Sequence, residues 1–461
     1  MPAPAVMWFR RDLRLGDNPA LAAAVHAGPV LPLFVVDPAL WEPAGPARRG
    51  YLSRSLSALD ADLRKRGGRL VVRHGDPAEV LPRVAGEAGA ESVHVAADHG
   101  PYGRARDEQV AAALAEDRIA LERTGSPYAV APGEVLTRQG TGYQVFTPFF
   151  RAWAEHGWPP PVEPPGRVSW CEVAGDPLPS ASPPDGLQLP DAGERAAHRA
   201  WRTFLDRVEE YDEGRDRPAV ETSHMSVHLK WGEIHPRTLL ADLSSGGPGA
   251  ASYRRQLAWR EFFADVLWHH PETARTYLRP GFAAMEHDEP GDAFRAWTKG
   301  RTGFPIVDAG MRQLRATGWM HNRVRMVVAS FLVKDLHVEW QHGARHFMRW
   351  LVDGDLASNQ HNWQWVAGCG ADAAPYFRIF NPTTQARRFD PDGAYVRTWV
   401  PELRGLDASH VHEPVRAPGG PPDGYPAAIV DHDVERREAL ARLDRVRRGS
   451  RHTDNEHRKR A

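Results

Sequence analysis

The chain has 461 residues, more than one compact core ordinarily holds, and its 42% hydrophobic and 25% charged content is that of a globular protein. A formal net charge of −1 excludes a bulk electrostatic grip on nucleic acid, so any such surface must be a local patch. Two cysteines, Cys171 and Cys369, exclude a four-thiolate iron–sulfur or zinc centre and fit a reducing, cytoplasmic setting, and the sequence reads without a secretory leader or a bilayer-spanning apolar run.

In chain order, the apolar run 6–9 predicts a buried strand. Asn18 before Pro19 predicts a helix start, with the amide as N-cap and proline at the first helical position. Residues 30–36 (VLPLFVV) predict a second strand. Helical spacing of Tyr51, Leu52, Leu56, Leu59 and Leu63 follows over 51–65. Strands at 69–73 and 92–97 alternate with helices near 78–88 and 105–115. This alternation implies a parallel sheet covered by helices, whose switch point is a natural ligand crevice. No glycine loop of the phosphate-cradling kind is present, which argues against a dinucleotide or nucleoside triphosphate there.

The Pro- and Gly-rich stretch around 159–190 reads as a surface connection, and the pattern beyond residue 193 is helical almost to the end. The division expected is an α/β domain over 1–130, a connector over 131–195 and an all-α domain over 196–461. The last stretch, RVRRGSRHTDNEHRKRA, is expected to be a solvated, disordered tail.

Three helical segments carry residues costly to explain as core. In RRQLAWREFF, Gln256, Trp259 and Arg260 share one face at i, i+3 and i+4, a poor core face but a good one for a flat polar ligand. In GWMHNRVRM, Asn322, Arg325 and Met326 share a face and Arg323 flanks it. In DGDLASNQHNWQW, the acids Asp353 and Asp355 precede Asn359, Trp363 and Trp365. A single helical tryptophan is ordinarily core, but sixteen in one chain, two of them beside paired acids and Arg378, shift that balance.

These segments, in this order and together with WFRRDLRLGDNPAL at 8–21, resemble the photolyase/cryptochrome family, and within it the class I cyclobutane pyrimidine dimer photolyases. The resemblance covers nearly the whole chain. It implies a Rossmann-like, doubly wound parallel α/β domain followed by an all-α domain that binds FAD. It also implies light-driven repair of cyclobutane pyrimidine dimers in DNA, by electron transfer from excited reduced FAD to the flipped-out dimer. The alternatives are a cryptochrome-type blue-light photoreceptor and a (6-4) photolyase. The implied partner is damaged DNA, with no membrane, and the protein is expected to be a monomer.

Carried over residue by residue, Tyr211, Thr222, Ser223 and Ser226 match positions that hold the FAD phosphates. His224 stands where the family usually has arginine. Arg260, Asn322, Arg325, Asp353 and Asp355 match flavin-contacting positions, with Arg325 and Asp353 expected to pair. Asn359 matches the position beside flavin N5, where a neutral amide cannot hand over a proton, a feature of repair rather than signalling. Trp259 and Trp365 match the two rings that wall the lesion pocket, with Gln256, Asn322 and Met326 further lining it. Gln256 replaces the usual acid and also occurs in (6-4) enzymes, but their paired histidines are missing. Arg215, Arg323 and Arg378 match contacts to DNA phosphates. Trp363 and Trp340 match the first two members of an electron-transfer chain whose third member is here His287, so slower photoreduction or an exit through a nearby tyrosine is expected. Asp37, Arg48, Asp98 and Lys230 resemble the positions of a deazaflavin antenna, although Gly100 replaces a further acid. Methenyltetrahydrofolate or no antenna are the alternatives.

Overall fold

A computed structural model describes residues 2–372 and 377–460, with side chains to residue 448. The chain forms two compact units. The first comprises Met1–Asp212, Thr222–Pro271 and Val352–Ala357. The second comprises Glu213–Glu221, Glu272–Leu351 and Ser358–Ala461.

The first unit is built on a five-stranded, all-parallel sheet: β1 (Ala5–Phe9), β2 (Val30–Val36), β3 (Val71–His74), β4 (Ser92–Val95) and β5 (Ala120–Arg123), in the order β3-β2-β1-β4-β5. Every residue of β1 and β2 is buried, as strands covered on both faces must be, and this is why they read as unbroken apolar runs. Trp8, Leu33, Val71, Val84, Val93 and Leu114 pack into one core. Asn18 caps the helix Pro19–Ala27, its Oδ1 accepting from the Leu21 N–H at 3.1 Å. The sequence reading did not include β5. Its four residues, Ala-Leu-Glu-Arg, lie at the sheet edge with little burial, so no apolar run marks them.

The segment 131–195 carries a helix, Phe146–His156, and pairs beside β2 where Val30 N–H donates to Ser169 O and Cys171 N–H donates to Val30 O, both at 2.8 Å. The long helix Pro248–His269 is tied to this region through Glu261. Its buried carboxylate accepts from Ala129 N–H (2.6 Å), Val130 N–H (3.1 Å) and Trp153 Nε1 (2.6 Å). Burial pushes the Glu261 carboxyl up, and these bonds oppose it.

The second unit is helical. Pro305–Thr317, Asn322–Lys334, Trp340–Trp350, Pro382–Phe389 and Ala394–Trp399 surround a core that includes Trp297, Met311, Phe331, Trp340, Phe347 and Trp363. The expected disordered tail is instead the end of a helix, His432–Arg460. Ala439, Leu443 and Val446 are buried at i, i+4 and i+7, and Glu438 bonds Arg442 and Arg445, so a narrow apolar stripe and ion pairs hold the part of this helix that leads into the polar run. No helix among the described residues is long and apolar enough to cross a membrane.

Candidate functional site

In the first unit, strand order reverses direction between β1 and β4. A crevice opens there, past the carboxyl ends of both strands, lined by Arg10, Arg11, Asp12, Ala97 and Asp98 among others. Its charges are cross-linked. Arg106 reaches Asp98 at 3.2 Å and Asp107 at 2.9 Å, Arg10 reaches Asp107 at 2.5 Å, and Arg11 reaches Asp355 at 2.7 Å. Burial alone would raise the Asp98 carboxyl, but Arg10 and Arg11 outweigh it and hold it below its ordinary value.

Of the four antenna candidates, Asp98 lines this crevice. Lys230 is pushed down to about 7, first by burial and then by the positive field of Arg11, with Arg48 adding to it. Burial lowers Arg48 to about 10, and its Nε is enclosed with no hydrogen-bond partner among the described residues. Asp37 is already engaged: it caps Ala39 N–H at 2.9 Å and accepts from Tyr102 OH at 2.5 Å.

Two of the hydroxyl-bearing candidates meet at Tyr253, a residue the sequence reading did not single out. Ser223 Oγ lies 2.7 Å from Tyr253 OH, and the Tyr211 ring meets the Tyr253 ring edge-on at 4.9 Å. Thr222 lies next in chain. His224, in the left-handed region at φ +52°, then opens the short helix Met225–Trp231, in which Ser226 is exposed.

On the helix Pro248–His269, Gln256, Trp259 and Arg260 are all half-buried, beside buried Leu257, Ala258 and Glu261 and exposed Arg255. The Trp259 ring lies flat on Phe146, with centroids 3.7 Å apart and planes 7° apart. Gln256 Nε2 makes only a long contact, 3.5 Å, to Ser252 O. Arg260 donates to the carbonyls of Pro127 and Leu229 and covers the Tyr128 ring. Asp353 is buried, and the adjacent Val352 carbonyl accepts from Trp231 Nε1 at 3.1 Å.

In the second unit, Asn322 opens the helix Asn322–Lys334 with its side chain exposed, and its Nδ2 lies 4.0 Å from Met326 Sδ. Arg325 donates to Met320 O at 2.8 Å. Arg323 pairs with Asp216 at 2.8 Å over the Phe389 ring, and Arg215 approaches the same carboxylate at 4.0 Å, so two of the three DNA candidates converge. The third, Arg378, sits 5.7 Å above the ring of Trp365, which is half-buried and donates Nε1–H to Asp372 O.

Asn359 is buried, its Nδ2 donating to Ala344 O at 3.1 Å and to Gln360 Oε1 at 2.9 Å. Trp363 is buried edge-on to Phe347 (5.0 Å) and Trp297 (6.3 Å). A Cβ at Gly343 would fall 2.1 Å from the Trp363 ring, so only glycine lets that ring lie on the helix that Trp340 begins. Trp340 is buried and meets Tyr277 edge-on at 6.0 Å.

Sequence reasoning missed Phe146, Arg11 and Tyr277 as individuals. Arg11 stood inside a quoted motif, but its partner Asp355 is 344 positions away and no local spacing links them.

Comparison with known proteins follows this geometry. A family model described as "DNA photolyase" matches residues 5–166, and one described as "FAD binding domain of DNA photolyase" matches 253–445. Relatives named deoxyribodipyrimidine photo-lyase match end to end. The protein of Streptomyces griseus is 43% identical over 96% of this chain and 99% of its own. That of Agrobacterium fabrum is 40% identical over 97% and 98%. Among solved structures, a bacterial class III photolyase from Agrobacterium tumefaciens superposes with a TM-score of 0.91 at 39% identity, covering 97% of this chain and 98% of that one. A cryptochrome from Synechocystis superposes at 0.87 and 26% identity, covering 96% and 99%.

Proposed function

Because the chain belongs to the photolyase/cryptochrome family, we propose that it is a light-driven DNA repair enzyme, a class I photolyase that opens cyclobutane pyrimidine dimers. The single observation that carries this reading is the end-to-end match, at 43% identity, to a relative named for that reaction. WFRRDLRL and GDLASNQHNWQW are the segments that resemble the family, and a similar structure is described as a class III photolyase, so class I is proposed against that neighbour.

The donor set fits FAD. Tyr211, Thr222, Ser223 and Ser226 offer hydroxyls of the kind a diphosphate accepts from, and Ser223 is already oriented by Tyr253. Arg260, Asn322, Arg325, Asp353 and Asp355 supply the mixed donors and acceptors that a flavin's polar edge requires, with Asp355 fixed by Arg11. Bound and fully reduced, FAD supplies the electron that opens the cyclobutane ring and takes it back. Asn359 presents a neutral amide whose nitrogen is committed to Ala344 O, so it releases no proton toward the cofactor.

A damaged base pair leaves the duplex at lower cost than an intact one. Trp259, held flat by Phe146, and Trp365, held by its bond to Asp372 O, offer aromatic faces to such bases. Gln256, Asn322 and Met326 supply amide and thioether contacts, and an amide donates to a thymine carbonyl at any pH. Arg215 and Arg323 would exchange Asp216 for a phosphate, and Arg378 adds a third cation. In the first unit, Lys230 and Arg48, whose charged forms burial disfavours and a bound anion would favour, suit an anionic antenna such as a deazaflavin, with Asp37 and Asp98 the acids that resemble its site.

Purified, reduced protein is expected to restore intact thymines in a thymine-dimer oligonucleotide under blue light and not in the dark. Repair of a (6-4) lesion instead would reassign the substrate. Light absorption by the bound flavin with neither repair would leave the photoreceptor reading, for which the similarity to a cryptochrome structure speaks.

A further inference from the structure

Four side chains of the second unit form a continuous contact that the repair step does not use. Trp340 is 1% exposed, and its Nε1 is enclosed with no hydrogen-bond partner among the described residues. Its ring meets Tyr277 at 6.0 Å. Tyr277 is half-buried, and its hydroxyl donates to Glu339 Oε1 at 2.7 Å, with His287 Nε2 at 3.3 Å as a longer second neighbour. Glu339 immediately precedes Trp340 and begins the same helix, so one turn of backbone fixes the carboxylate and the indole together.

An indole that loses an electron becomes a cation, and it is relieved either by shedding its N–H proton or by taking an electron from a neighbour. With no acceptor at Nε1, the first route is closed inside the protein. The second is open, because Tyr277 touches Trp340 and has a carboxylate at hydrogen-bond distance ready for its proton. A phenol is hard to oxidise while it keeps that proton and much easier when the proton leaves at the same time. Burial and the neighbouring Glu339 carboxylate together raise the Tyr277 hydroxyl well above its ordinary value, so it carries its proton until that moment. Burial also lowers His287, leaving a neutral imidazole that is no electron source.

We propose that Tyr277 is the terminal electron donor of the photoreduction chain and that Glu339 accepts its proton. The inference rests on the flavin-binding reading above. Light-excited oxidised flavin is the oxidant. By the resemblance, Trp363 would yield an electron to it and Trp340 would refill Trp363; Tyr277, in edge contact with Trp340, would then refill Trp340. In the last step the Tyr277 O–H bond breaks, one electron passes to the Trp340 cation, and the proton passes to Glu339 Oε1. The products are a neutral tyrosyl radical, neutral Trp340 and a protonated carboxyl group.

The test is flash photolysis of the flavin-loaded full chain, with transient absorption and electron paramagnetic resonance identifying the radical. The natural protein is expected to end on a neutral tyrosyl radical, formed more slowly in D2O. Tyr277→Phe, which keeps the ring, should lose that signal and recombine early. Glu339→Gln should slow tyrosine oxidation. Adding His287→Trp to Tyr277→Phe should restore a long-lived radical, now on tryptophan, a rescue that a purely structural defect would not show. An unchanged radical in Tyr277→Phe would overturn the exit, and an unchanged rate in Glu339→Gln would overturn the proton transfer. Either failure in a protein that repairs dimers leaves the proposed function standing, whereas a tyrosyl radical in a protein that repairs nothing leaves the exit standing and removes the repair reading.

Discussion

The switch-point crevice of the first unit is a lattice of ion pairs, whereas the tryptophan cluster of the second is a set of buried rings in which Trp340 and Trp363 meet their described ring partners edge-on. In and beside the crevice, Asp98, Asp107 and Asp355 each meet a guanidinium, and Lys230, which feels the charge of Arg48, and Arg48 itself are held below their ordinary values by burial. In the cluster, the ring partners of Trp363 among the described residues are met edge-on, that of Trp340 is Tyr277, and the Tyr277 hydroxyl meets the Glu339 carboxylate. The two regions should therefore answer to different variables. A charged crevice responds to pH, salt and anions. A set of buried rings in edge contact responds to the loss or displacement of a ring.

The largest effect should come from interrupting the rings. Trp363→Phe is expected to abolish light-driven reduction of bound flavin, followed as the loss of flavin absorbance bleaching under continuous blue light. The loss should be the same at low and high salt. A salt-dependent residue of photoreduction would show that charge, and not ring contact, governs the path.

Next in size is Trp259→Ala. Stacking of a base on an aromatic face contributes about 1–3 kcal/mol, so affinity for a dimer-containing oligonucleotide should fall about fivefold to about 150-fold. A titration by fluorescence anisotropy reads this directly. Phe146→Ala should reproduce part of the loss, because it removes the ring against which Trp259 lies flat.

Gly343→Ala tests how tightly the cluster is packed. The added methyl would meet the Trp363 ring, and overpacking of this kind costs about 1–3 kcal/mol. Urea denaturation should show that loss, and Trp363 photoreduction should weaken with it. Wild-type stability would mean that the ring has room to move and that the rigid geometry is not required.

Much of the fold was legible because burial on both faces writes itself as apolar runs. The runs VMWF and VLPLFVV became β1 and β2, and the switch-point crevice followed from strand alternation. The edge strand β5 was not, since an exposed edge needs no such run, and the helix Phe146–His156 was hidden inside a segment read as connector. Of the candidate site, the half-buried trio Gln256, Trp259 and Arg260 could be read because helical spacing collects residues on one face. The contacts that fix individual groups could not. Phe146 behind Trp259, Arg11 on Asp355, and Glu339 on Tyr277, the last pair 62 positions apart, are made by tertiary packing and leave no periodic trace.

The smallest effect belongs to the charged side of the comparison. Lys230 holds its proton only to about 7 in the folded chain, first because it is buried and then because Arg11 stands near it. In the unfolded chain it returns toward its ordinary value of 10.5. Between those values the unfolded state binds the extra proton, so this group makes stability rise as pH increases from about 7 toward 10. Lys230→Met should remove that rise, read as the difference in urea midpoint between near-neutral and alkaline buffer. An anionic antenna in the crevice would favour the charged lysine, raise its value and flatten the same slope in the natural protein. A slope that survives Lys230→Met would assign the titration to another group, and a slope unmoved by a deazaflavin would separate Lys230 from the antenna.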